Sequence, residues 1–178
     1  YASRGLEFSV TEAELTLQAG QVAQLEIEWP LRVVETPDQV SADLHVHSGV
    51  SFDSALPLQE RVRSFAAAGA EYLVASEHNR LIDYRQLVAD MGLQDEVHLI
   101  PGVEFTGMAH TEATPETNGH ANVFPLTYRE REFSGGMPAH EGVRLRELIQ
   151  WTREQSPEPL FQLNHPRVKS PADPDLAY

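Results

Sequence analysis

Apolar and polar residues alternate with period two over residues 6–29: Leu15 and Leu17, then Leu25, Ile27 and Trp29, with Gln24, Glu26 and Glu28 on the other side. Side chains two apart on a strand share a face, so the alternation predicts the arms of an antiparallel β-hairpin that turns near Ala19-Gly20. One hairpin buries too little surface to hold itself together. Residues 1–37 are therefore expected to pack on the domain C-terminal to them, or to continue a β-sandwich lying upstream, with Thr36-Pro37-Asp38 as the linker.

From residue 38 onward short apolar runs alternate with helical patterns, the texture of a parallel α/β fold. Strands are predicted near 43–46, 72–76, 98–105, 121–125 and 160–164. Between the first two, Pro57 opens a helix with Leu58, Val62, Phe65 and Ala66 on its apolar face, and Gly69 closes it. A shorter helix over 83–91 stops at Gly92. A longer one over 141–155 carries Val143, Leu145, Leu148 and Trp151 on its buried stripe, and Ser156-Pro157 ends it. Residues 108–118 and 128–138, rich in Thr, Pro, Gly and charge, read as loops. Trp29 and Trp151 fall on apolar faces and are expected in the core.

At 178 residues and 41% hydrophobic content, the chain suffices for one domain with a real core. Thirteen Lys and Arg against 27 Asp and Glu give a net charge of -14, the opposite of the basic surface that a nucleic-acid backbone requires, so nucleic acid is not an expected partner. The absence of Cys leaves only nitrogen and oxygen ligands for any metal. No run approaches the roughly 18 apolar residues of a membrane span, and the first ten residues lack the basic-then-apolar order of a signal peptide. The chain starts at Tyr1, as expected of a mature product or a piece of a longer chain, and a β-rich region upstream would suit an exported, periplasmic or secreted protein. Oligomeric state is left open.

The chemistry lies in the histidines. Of eight, five are expected at or just beyond the C-terminal end of a strand: His45, His47, His78, His120 and His165. In α/β barrels that edge builds the active site. Glu104 ends Pro101-Gly102-Val103-Glu104 on the third strand, and Asp53 lies in the loop after the first. A lone His-x-His such as His45 and His47 is often a pair of surface residues. Several imidazoles and carboxylates gathered in one place, however, compete for protons and partners unless cations satisfy them together, so the full set predicts a metal site. His98 is expected as a packed or rim residue, and His110 and His140 as exposed loop residues. Asn122 is expected to orient a ligand or to cap a strand end. Arg167, directly after His165-Pro166, is a candidate for gripping a substrate anion, or an ordinary surface arginine.

In order and spacing, Asp43-Leu44-His45-Val46-His47-Ser48, Ser76-Glu77-His78-Asn79, Pro101-Gly102-Val103-Glu104, Gly119-His120-Ala121-Asn122 and Asn164-His165-Pro166 resemble the motifs of the PHP (polymerase and histidinol phosphatase) superfamily. The match covers about residues 40–168. The Gly-His-x-Asn form and the preceding β segment are most similar to the CehA/McbA-like branch of metallohydrolases. The resemblance implies an α/β fold, a distorted (β/α)7 barrel over residues 38–178, holding two or three divalent ions of zinc, manganese or iron. It implies that His45 and His47 bind the first ion, that Glu104 bridges it to a second held by His120 and His165, and that Asp53 and His78 bind a third.

Two departures qualify the match. Glu77 stands where the family more often has Asp. No His follows His165, although the family pattern ends in Asp-x-His, and five predicted strands fall short of seven. The barrel is thus expected to be incomplete at its C-terminus, with the second ion's site the best preserved. Paired cations lower the pKa of a bridging water and stabilise charge on the attacked group, so the expected activity is hydrolysis of a small-molecule phosphoester, with Glu104, His120 and Arg167 at the reaction. A carboxylic ester or amide, or a non-catalytic metal-binding role, stays open.

Overall fold

The computed structural model describes residues 1–112, 114, 115 and 118–165, and Arg167 lies outside them. Three strands, β1 (Ala42–Val46), β2 (Tyr72–Ala75) and β3 (His98–Pro101), form a parallel sheet in that order. Each crossover carries a helix, α1 (Leu58–Ala68) and then α2 (Arg85–Asp90). Pro57, at φ -54, precedes the first turn of α1, where a missing backbone donor is harmless. Gly69, at φ 77, ends it by donating its N–H to Ala66 O. Val62 is fully buried and packs with Val46, Leu73, Tyr84, Val88 and Val97 in the first core.

The second sheet runs β4 (Val103–Gly107), β5 (Gly119–Phe124), β6 (Leu160–Leu163), and both of its pairings are antiparallel. A uniformly parallel sheet is therefore corrected for this half of the chain. Among the described residues of the connection from β4 to β5 no helix carries the chain back to the other end, and β5 returns alongside β4 in the opposite direction. Residues 98–105, expected as one strand, are β3 and the start of β4, divided at Gly102. A Cβ on Gly102 would stand 2.8 Å from Val74 Cγ1 and 2.9 Å from Val123 O, so only glycine lets the backbone pass between the two sheets. A parallel bridge, His78 to Glu104, joins the sheets. Among the described residues they do not close into a barrel.

Alternation divides the second sheet into two chemically opposite faces. Val103, Phe105 and Val123 pack against Leu148 of α3 (Leu145–Gln155), with Trp151 and Phe161 partly buried beside them. Directly opposed residues share a face, so Glu104 lies beside Asn122 and Thr106 beside His120 on the other side. The expected first turn of α3 is lost because Gly142 sits at φ 70 and breaks the helical path.

The N-terminal segment departs most from expectation. Ala19-Gly20 does turn, with Gln21 N–H donating to Gln18 O at 3.1 Å, but its two arms form no ladder. Pairing falls instead between residues 7–11 and 28–33: Ser9 N–H donates to Leu31 O at 2.8 Å and Val33 N–H to Glu7 O at 2.7 Å. Trp29 is 75% exposed and is not a core residue. Alternation is rewarded only where a facing surface buries one side of the strand, and these arms are only partly covered: Ile27 is 43% exposed and Leu17 72%. The Arg4–Glu96 ion pair ties the segment to the α/β unit. No helix among the described residues is long and apolar enough to cross a membrane.

Gly102→Ala is expected to destabilise the fold by about 1–3 kcal/mol through overpacking. Urea denaturation measures it, and a loss well under 1 kcal/mol would show that the two sheets separate freely at this point.

Candidate metal centre

Five imidazoles converge on one carboxylate. His45 lies near the end of β1 and His47 just beyond it, and their Nε2 atoms are 2.9 Å apart. His78 follows β2, His165 follows β6, and His120 is the second residue of β5. His120 thus lies at a strand's N-terminal end, which corrects its expected placement. Because β5 runs antiparallel to its neighbours, its beginning reaches the same edge as the end of β6, where Asn164 N–H donates to His120 O at 3.0 Å.

Glu104, from β4, is fully buried at the centre. Its Oε2 is 3.3 Å from His45 Nε2, 2.9 Å from His47 Nε2 and 3.1 Å from His78 Nδ1. Its Oε1 is 3.1 Å from His120 Nδ1 and 3.4 Å from His165 Nε2. Each oxygen therefore faces its own group of imidazoles. Despite these contacts Oε2 accepts no hydrogen bond of acceptable geometry. A fully buried carboxylate oxygen with three imidazole nitrogens within 3.3 Å and no hydrogen bond to it is an unsatisfied charge, which a cation shared with those nitrogens would resolve. The spacing fits as well: ligands at about 2.0–2.1 Å put neighbouring donors about 3.3 Å apart in a tetrahedron and about 2.9 Å apart in an octahedron.

Three groups of donors lie within reach of a single ion each: His45, His47 and Glu104; His47, Asp53 and His78; and His78, Glu104 and His120. The first unites the residues expected for the first ion. In the second His47 joins Asp53 and His78, and in the third His78 stands where His165 was expected, although the His165 and His120 rings are only 4.7 Å apart. His98, at the start of β3, packs with its ring tilted against Tyr72, His110 bonds to Pro115 O, and His140 lies 4.0 Å from Glu141, so none of these three joins the cluster.

Comparison of the chain with protein-family models, with curated proteins and with solved structures returns no match. Its chemistry is therefore read from its own residues.

Several residues outside the ring of imidazoles hold the cluster in place. Asn164 donates to both Glu104 Oε1 and Asn122 Oδ1 at 2.8 Å, and Asn122 in turn donates to Leu44 O of β1 at 2.6 Å. Asn122 is fully buried and engaged at both ends of its amide, so it positions the two sheets and does not face the cleft. Glu77, also buried, accepts bonds from the Ser48 N–H and the hydroxyls of Ser48 and Ser51, which fastens the loop after β1 to the end of β2. Thr106 Oγ1 meets His78 Nδ1, and Asn79, at φ 50, brackets the Thr106 backbone with both ends of its side chain. Phe52 stacks on His78 with ring centroids 4.4 Å apart. Asn164 and Glu77 lie inside the quoted motifs, but their framing roles were not expected, and buried Thr106 looks in sequence like any polar residue near a strand.

For His47, burial opposes a charge, but the Glu104 and Asp53 carboxylates override it and raise the pKa from 6.5 to about 9. His78 faces the same carboxylates, yet burial, aided by the neighbouring His47 cation, lowers its pKa. Burial alone would raise the pKa of Glu104, but His120, His45, His47 and Asn164 hold it far below the carboxylate range. A group whose folded pKa is raised stabilises the fold fully below its unfolded pKa and loses that contribution as pH climbs to the folded value. In metal-free protein the His47 contribution, at most roughly 3 kcal/mol, is thus present below pH 6.5 and gone near pH 9. The lowered groups act the other way, since Glu104 and His78 lose their contributions as pH falls below their ordinary values. Melting temperature measured in chelator is expected to decline from pH 6.5 to 9, and His47→Asn to flatten that decline. A slope unaltered in the variant assigns it to other groups.

Proposed function

We propose that this chain is a metal-dependent hydrolase of the PHP type, acting on a small-molecule phosphoester through two or three divalent cations. The observation that carries the reading is the buried Glu104 carboxylate, each oxygen facing a separate set of imidazoles. Such a residue is suited to bridge two ions. His45 and His47 would hold one with Glu104, His120 and His165 another with Glu104, and Asp53 with His78 a third. The nitrogen and oxygen donor set suits zinc, manganese or iron. When bound, such ions supply Lewis acidity and an activated water for hydrolysis.

The protein's own part is to aim the donors. The Nδ1 of His47 lies 3.0 Å from Asp53 Oδ1, which orients the ring and leaves Nε2 toward Glu104. Asn164 fixes Oε1 of Glu104, and through Asn122 ties its angle to the position of β1. Beside the cluster opens a cleft of about 470 Å³, large enough for a small molecule. The net charge of -14 supports a small substrate over a nucleic acid.

Elemental analysis of the purified chain after exposure to zinc or manganese is expected to find at least one equivalent, with occupancy falling below about pH 6 as the histidines protonate. Less than one equivalent would defeat the reading. Asn164→Ala is expected to weaken metal binding about 10- to 100-fold, because it frees the central carboxylate. Chelator-sensitive hydrolysis of phosphomonoesters or phosphodiesters is the expected activity, and cleavage of aryl carboxylic esters alone would move the assignment to ester or amide hydrolysis.

A further inference from the structure

The cleft beside the cluster has a second wall, built by α1. Arg61 and Phe65, one turn apart on that helix, line it together with Asp43, His45 and the other donors. Arg61 is partly buried, its Nε is buried without a hydrogen-bond partner, and its Nη2 makes only a long bond to Ser54 Oγ at 3.4 Å. Its guanidinium carbon stands 5.8 Å from the centre of the Phe65 ring. Arg4, Arg32, Arg63, Arg85 and Arg129 each pair with a carboxylate, whereas Arg61 forms no ion pair among the described residues. In a chain with 27 acidic residues against 13 basic ones, an arginine withdrawn from water yet without a carboxylate is unusual. It is also the arginine in the wall of this cleft, standing apart from the imidazoles of the cluster. A guanidinium is a planar fork of donors matched to paired oxygens, and its energetic deficit is made good when an anion arrives.

We propose that Arg61 is the contact for a terminal oxyanion of the substrate, so that the molecule hydrolysed at the cluster carries a phosphate or carboxylate group that reaches the α1 wall. This rests on the metal-hydrolase reading above. It gives a described residue the task that sequence alone offered to Arg167.

The test is calorimetric titration of the zinc-loaded chain with inorganic phosphate and, separately, with acetate, in the wild type and in Arg61→Gln. Phosphate affinity is expected to fall at least about tenfold in the variant, with zinc per chain unchanged, and Arg61→Lys to recover part of it. A parallel loss of acetate binding marks a general oxyanion contact, and a loss confined to phosphate narrows the substrate to phosphate esters. Should Arg61→Gln fail to fold, Arg61→Met keeps the aliphatic stem and serves the same comparison. Phosphate affinity equal to wild type at full zinc content overturns the role of Arg61 and leaves the cluster standing. A wild-type chain that takes up no zinc overturns the cluster, and this inference with it.

Discussion

Everything in the site is arranged around the cost of holding one carboxylate away from water. Glu104 is fully buried, and its ionised form is held there by imidazoles and by the Asn164 amide. An isolated charge in that position would be expelled or neutralised. The surrounding residues each remove part of that cost from a different direction, and the direction matters because the two oxygens serve different halves of the cluster. Elements far apart in sequence are therefore coupled: β1 through His45 and His47, the end of β2 through His78, β5 through His120, and the end of β6 through His165 and Asn164.

The fold answers this demand by segregating its faces. The antiparallel sheet turns its apolar side to α3 and its polar side to the parallel sheet, so one layer supplies core on one surface and the polar cluster on the other. Gly102 permits the change of direction between the sheets, and the His78–Glu104 bridge holds their edges together. Asn122 and Glu77 complete the frame by hydrogen-bonding across from one segment to another. They carry no chemistry of their own, yet they set the distances on which the chemistry depends. Away from the cluster, α1 contributes a cation to the cleft from an otherwise ordinary amphipathic helix.

Much of this was legible in the residues. The order of His45, His47, His78, Glu104, His120 and His165 along the chain, with no cysteine, already specified a nitrogen and oxygen donor set. Pro57 and Gly69 marked the ends of α1 because their backbone constraints act locally. The start of α3 and the ladder of the N-terminal arms were misplaced, since both depend on what lies opposite them. Trp29 shows the same limit: its periodicity was real, but burial needs a partner surface that periodicity does not reveal.

What the amino-acid order determined by itself was the kind of donor available and the short-range geometry presenting it, because side-chain chemistry and backbone preference belong to each residue and its near neighbours. Only the tertiary structure decided which donors meet. The reversal of β5, which carries His120 to the shared edge from the strand end opposite to the one expected, and the double engagement of Asn164 with Glu104 and Asn122 arise from contacts between segments tens of residues apart. Such contacts are chosen by packing and strand direction, and no single stretch of sequence encodes either.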